Sequence, residues 1–369
     1  MSPDVLTTAA TTPLDGLVAE ARRQAHICNA CRYCEGYCAV FPALHARRAF
    51  AEADLVQLAN LCHNCRGCYY ACQYTAPHEF DLNLPKALGD LRQGSWEAHA
   101  WPGVLATAFH RHAGATAALM VAAVLALVVA AQALRPESGE GFYAVMSHTV
   151  MVAIFAPAFL LPLAAMAVSL RRYWQAAGGG AFAWVDLVEA GRMAATMRNL
   201  GGGHGEGCNF EDADRFTPAR RHAHQLVLWG FVLCFAATSA GTVMHYVFGW
   251  EAPYGFFTPP KLLGVPGGLM LSAGALWLWH LRRKADPALG AEGVDGGANA
   301  FLWLLFATST TGLLLYAATG TALVEALLPL HLATVLTLFL LTPYSKMAHG
   351  FYRMAALTLD AGRRRGTPG

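Results

Sequence analysis

Cys28-Asn-Ala-Cys31-Arg-Tyr-Cys34-Glu-Gly-Tyr-Cys38 reads C-x2-C-x2-C-x3-C, and Cys62-His-Asn-Cys65-Arg-Gly-Cys68-Tyr-Tyr-Ala-Cys72 repeats that spacing. Eight of the ten cysteines fall in these two runs. Iron in a [4Fe–4S] cube takes a soft, anionic, monodentate ligand, which a cysteine thiolate supplies. Spacings of two let one tight loop wrap three corners of a cube, and the fourth cysteine is expected to leave on a helix. Structural zinc sites use cysteine pairs separated by longer spacers, and disulfides need an oxidising compartment. The doubled spacing selects two [4Fe–4S] clusters over both alternatives. Gly36 and Gly67 lie inside the runs, where close passage of the backbone by sulfur is expected to exclude larger residues.

This is the ligand pattern of bacterial two-cluster ferredoxins, in which the fourth cysteine of each run serves the other cluster. The expected sets are Cys28, Cys31, Cys34 with Cys72, and Cys62, Cys65, Cys68 with Cys38. The chain departs from the small ferredoxins in one respect. No proline directly follows Cys38 or Cys72; Pro42 and Pro77 come later. Between the runs, 43–61 is loosely periodic in Leu44, Leu55, Leu58 and Ala59, and predicts a helix. Another is predicted over 14–26. Residues 1–110 are therefore expected to form a helical, two-cluster, ferredoxin-like domain that relays single electrons.

Beyond residue 100 the composition changes. The chain of 369 residues is 55% hydrophobic and 14% charged, against about a quarter charged in soluble proteins. Six apolar runs approach the ~20 residues of a bilayer span: 113–134, 144–170, 224–248, 262–280, 301–324 and 327–349. The windows 119–134 and 226–243 hold no charge. The expected fold is all-α, with a six-helix transmembrane bundle over 111–369 and a cytoplasmic insert over 171–223. Lys and Arg concentrate before the first span, in 171–221, in 282–300 and after Arg353, while Arg135 and Lys261 stand alone in the opposite loops. By the positive-inside rule both termini and both clusters are cytoplasmic, at a bacterial cytoplasmic (inner) membrane. A net charge of +2 gives no basis for a nucleic-acid partner.

Ionisable residues inside spans default to functional hypotheses. His224 and His245 mark the two ends of the third span, and His331 and His349 those of the sixth. On one continuous helix, His331 and His349 would share a face. Antiparallel spans then pair His224 with His349 at the cytoplasmic end and His245 with His331 at the outer end. Bis-histidine ligation from facing helices is how b-type haem is held in membrane bundles, so one or two b-haems are expected. His148 and His280 could replace a member of either couple, and histidines at bilayer edges also occur without any metal.

In the insert, 184–200 predicts a short helix. It is followed by the Gly-rich stretch GGGHGEGCNFEDADRF (201–216). No Lys-Ser/Thr follows the glycines, so this is no phosphate loop. Cys208 and His204 are too few to claim a metal. Arg215, Arg220 and Arg221 read as markers of the membrane edge, and Cys234 as a small core residue.

That stretch, the two Cys runs, ARRHAHQLVLWGFVLCFAAT (219–238), LTPYSKMAHGFYR (341–353) and the six spans together resemble the tricarballylate- or citrate-utilization protein B family. The resemblance covers nearly the whole chain. More weakly, the membrane part resembles the cytochrome b subunit of nitrate and heterodisulfide reductase systems. The family resemblance implies an electron-transfer subunit of a quinone-reducing oxidoreductase system. Its implied partner is an FAD-dependent, tricarballylate dehydrogenase-like enzyme, whose reduced flavin would feed the quinone pool. No nucleophile, acid–base pair or nucleotide motif is present, so substrate oxidation is expected on that partner. Two rivals remain: a redox-sensing or recruiting membrane anchor, and a conduit to an outer acceptor.

Overall fold

The computed structural model describes residues 13–132, 146–202, 205–209, 211, 215–291 and 294–366. Arg135 and His204 lie outside the described residues. Among those described, thirteen α-helices account for the architecture and no strand forms. Near the N-terminus are α1 (Pro13–Cys31), α2 (Val40–His45), α3 (Glu52–Leu61), α4 (Gly67–Tyr70) and α5 (Leu84–His99). The long helices follow: α6 (Gly103–Ala131), α7 (His148–Ala176), α9 (Ala219–Phe248), α10 (Pro259–Arg283), α11 (Val294–Ala317) and α12 (Val324–Leu341). Short α8 (Trp184–Thr196) lies between α7 and α9, and α13 (Ala348–Gly366) closes the chain.

Six helices are long and apolar enough to cross a membrane, by length and composition. Their outer faces carry large apolar side chains, such as Leu119 (72% exposed), Leu161 (66%) and Val247 (70%). A patch this extensive needs lipid or another apolar cover. Inside the bundle, small residues let backbones approach. At Gly230 of α9 a Cβ would sit 2.6 Å from the Leu271 nitrogen of α10, and one at Gly267 would sit 2.8 Å from the Leu233 Cβ. Hydroxyls bridge neighbouring helices: Ser272 to Ser309 at 2.7 Å, and Thr311 to Thr334 at 3.4 Å. Such contacts join helices where apolar burial does not distinguish protein from lipid.

Two expectations change. The helix expected over 43–61 is two helices, because the chain turns between His45 and Glu52. The sixth span, expected as one helix over 327–349, ends at Leu341. Pro343 has no N–H to continue the hydrogen-bond ladder, and α13 starts afresh at Ala348. His331 and His349 therefore stand on different helices, and the shared face drawn from a single helix does not apply.

Apolar packing runs across the boundary expected at 110/111. One apolar cluster joins Leu44, Leu55, Leu58, Leu88 and Leu91 to Met166 and Tyr173 of α7 and to Tyr352, Leu357 and Leu359 of α13. Trp96 stacks on Tyr352 at 5.8 Å, and Tyr352 meets Tyr173 edge-on at 5.3 Å. Arg365 pairs with Asp186 at 2.7 Å and Arg364 with Glu189 at 2.7 Å, fastening α13 to α8. The C-terminal helix is thus part of the cysteine-bearing unit.

Candidate metal centres

Cys28 and Cys31 sit on the last turns of α1, and Arg32 then turns the chain at φ 59°. Cys34 and Cys38 follow before α2 begins at Val40. In the second run Cys62 caps α3, Cys65 lies in irregular chain between Asn64 (φ 49°) and Arg66 (φ 63°), Cys68 is within α4, and Cys72 follows just after it. Cys28, Cys31 and Cys68 therefore stand on helices, and the fourth cysteine of each run does not. The glycines also have other roles than expected. Gly36 adopts φ +92° with open space around its Cβ position, while a Cβ at Gly67 would meet Phe216 at 3.4 Å.

The thiols fall into two groups across the runs. Cys28 feels the charges of Cys34, Cys72 and Cys31. Cys38 feels those of Cys65 and Cys62, and Cys68 those of Cys65, Cys62 and Cys38 and, last, of Cys34 from the first group. A cavity of about 240 Å³ is lined by Cys28, Cys31, Cys34 and Cys72, and also by Cys68. Among the described residues no three side chains close tightly enough to hold a single metal ion; thiols set around a cavity of this size suit a larger inorganic core. The backbone N–H groups of Asn64 and Tyr74 point at Cys62 and Cys72 sulfur, each at 3.4 Å. Such bonds stabilise thiolate and tune a bound cluster. Burial first, then neighbouring thiols, pushes Cys28 and Cys34 up to about 12. Thiols so placed lose their protons when a cationic group compensates them. The first donor set, around its cavity, thus fits an iron–sulfur cluster.

The Gly-rich loop covers the second set. Cys208 is fully buried against Cys65 and exchanges main-chain hydrogen bonds with Thr217 at 3.0 and 3.2 Å. Arg220, read from sequence as a membrane-edge residue, donates to the Asn64 carbonyl at 2.6 Å.

Of the histidines, the structure brings His224 and His349 together. Their ring centroids are 5.8 Å apart and their planes 66° apart. Two imidazoles on opposite sides of one metal, with bonds of about 2 Å, have centroids roughly 6 Å apart. His349 Nδ1 donates to the Lys346 carbonyl, which leaves Nε2 for a ligand. Buried His224 Nδ1 has no hydrogen-bond partner. His245 stacks on His148 at 4.3 Å with planes 24° apart, and Tyr246 OH lies 3.4 Å from His148 Nε2. Rings stacked that closely leave no room for a metal between them. His331 Nδ1 meets Thr311 Oγ1 at 3.1 Å and packs over Gly312. His280 is exposed at the end of α10.

Two adjoining cavities, of about 340 and 370 Å³, share His63, His224, His349 and Arg353 as walls. The first is cationic, with Arg66, Arg92, Arg282 and Lys346. Leu228, Phe231, Met354 and Leu357 help line the second, which is apolar. An apolar slot, a histidine pair and a basic end match a porphyrin bearing carboxylates. His63, next to Cys62, donates its Nδ1–H to the Leu61 carbonyl at 2.9 Å and so links the second thiol set to this cavity. Burial, with Arg92 alongside, brings Arg353 down to about 9, so it stays charged at neutral pH. Arg92, Arg353, Lys346 and His63 went unrecognised from sequence. Their only local signal was a histidine inside a cysteine run.

The fold and the thiol sets define a class: a helical protein with six potential membrane-crossing helices fused to a ferredoxin-like unit. The model of the citrate utilization protein B Fer4-like domain matches residues 21–98, and that of citrate utilization protein B matches 106–368. Citrate utilization protein B of Escherichia coli is 42% identical over 348 residues, covering 92% of this chain and 90% of that protein. The chain belongs to the citrate utilization protein B family. No solved structure matches it.

Proposed function

We propose that this protein passes electrons from a reduced flavin dehydrogenase, of the tricarballylate dehydrogenase type, to the membrane quinone pool. Two [4Fe–4S] clusters, in the crossed sets described above, and one b-type haem between His224 and His349 would supply the one-electron carriers. They would split a flavin's two-electron output into single steps that a quinone gathers again. The six apolar helices and the basic segments support a bacterial cytoplasmic membrane location with both termini cytoplasmic.

The observation that carries this reading is the cavity joining His63, beside the second thiol set, to the His224–His349 pair. Each protein group has a defined task there. The two imidazoles would hold the haem iron, with the Lys346 carbonyl orienting His349. Arg282 would offer a cation to carboxylates at the polar end, beside Lys346, whose Nζ lies 5.2 Å from the Trp96 ring. Phe231, Met354 and Leu357 keep water from the apolar end.

The test is a dithionite-reduced minus oxidised spectrum of the detergent-purified protein, with pyridine haemochrome and iron measured on the same sample. A b-type α-band, one haem per chain and about eight further irons are expected. Iron without a haem band would discard the histidine pair. Quinone reduction by the protein with its flavin donor tests the direction of flow.

A further inference from the structure

We infer that Arg92, Arg353 and Arg220 raise the reduction potential of the second cluster (Cys62, Cys65, Cys68 and Cys38) above that of the first, making it the exit towards the bundle. The inference rests on the two-cluster reading. Three guanidinium groups from three distant helices converge on the loop that carries Cys62 and Cys65. Arg92 of α5 donates to the Cys62 carbonyl at 2.6 Å, and Arg353 of α13 donates to the same oxygen at 2.8 Å. Arg353 also reaches the Asn60 carbonyl at 3.4 Å, and Arg220 of α9 donates to Asn64 at 2.6 Å. Arg92 is 6% exposed, and its charge is offset in part by Asp90. Neither Arg92 nor Arg353 forms an ion pair among the described residues; their hydrogen bonds go to main-chain carbonyls.

The first set has a different setting. Arg32 and Glu35, the charged residues within its run, are both exposed. Solvent screens exposed charges, whereas buried ones act at nearly full strength. Reduction adds one negative charge to a cluster, so nearby fixed positive charge favours the reduced form. The three arginines keep their charge while one electron leaves the first set, oxidising it, and enters the second, reducing it. No bond or proton needs to move. The gradient then runs from the thiols farther from the bundle towards His63 and the His224–His349 cavity.

EPR-monitored redox titration of the full-length, detergent-purified protein tests this, with Cys31→Ser and Cys65→Ser assigning the two signals. The signal lost in Cys65→Ser is expected at the higher potential. Arg92→Gln and Arg353→Gln should each shift it to lower potential while the other signal stays in place, and Arg92→Lys should restore most of the shift. Equal movement of both signals, or no movement of the second with iron retained, would overturn the inference. A wild-type second signal below the first would do so even if a variant failed to fold. Iron far short of two cubes would overturn the two-cluster reading, and the inference with it.

Discussion

His224 and His349 meet because one opens α9 and the other opens α13, so two helix starts bring their imidazoles to the same depth. His245 is occupied by its stack on His148, and His331 by Thr311. Substitution should therefore separate the histidines. His224→Ala and His349→Ala are expected to lower the haem-to-protein ratio to near zero by pyridine haemochrome, and His331→Ala to leave it unchanged. Haem loss in His331→Ala would restore a second centre to consideration. Cys65 offers an independent residue-scale test. It is the thiol packed against Cys208 and lies nearest the covering loop. Cys65→Ser should remove roughly four irons per chain and abolish quinone reduction. Undiminished quinone reduction by a protein lacking those irons would end the relay model.

At the scale of elements, the closest packing is the α9–α10 crossing, where Gly230 and Gly267 face opposing backbone. Gly230→Val must push these helices apart. Overpacking costs about 1–3 kcal/mol, so thermal melting in detergent should fall, and haem should loosen because α9 carries His224. An unchanged melt would mean the pair can slide without loss. The end of α5 carries a pH-dependent element. Burial, the largest effect, lowers the His99 imidazole below its ordinary range, where it packs edge-on to Tyr173 at 6.0 Å. A depressed folded-state value means the unfolded chain takes the proton first. This contribution is complete above about pH 6.5 and is lost as pH falls below it. His99→Phe should therefore show a shallower loss of melting temperature between pH 7 and 5 than the parent protein, and parallel profiles would exclude His99 from that loss. The apolar helices could be read from hydropathy because lipid and protein select the same side chains along them. The break at Pro343 has a local mark, since Ser345 and Lys346 follow the proline and end the apolar run.

Across the whole molecule, the cysteine sets could be read because their spacing is local, whereas the basic cavity could not. Its members come from α5, α9, α10 and α13, and the contact of Arg353 with Asn60 spans 293 positions. Taken alone, α13 looks like a positively charged tail: Arg353, Arg363, Arg364 and Arg365 mask the apolar face of Tyr352, Leu357 and Leu359. That face completes the core around the thiols. Tyr352 and Leu357 are each 1% exposed, and burial of side chains this size contributes about 2 kcal/mol apiece. Arg363 adds bonds to Gln57 and to the Ala177 carbonyl. Truncation after Met347 should therefore cost the protein its iron as well as its His349 centre, although every cysteine remains. A fragment of residues 13–110 should likewise fail to hold two cubes on anaerobic reconstitution. Iron and EPR signals at full-length levels in that fragment would show that the cysteine-bearing unit folds alone, and that α13 serves only the histidine pair.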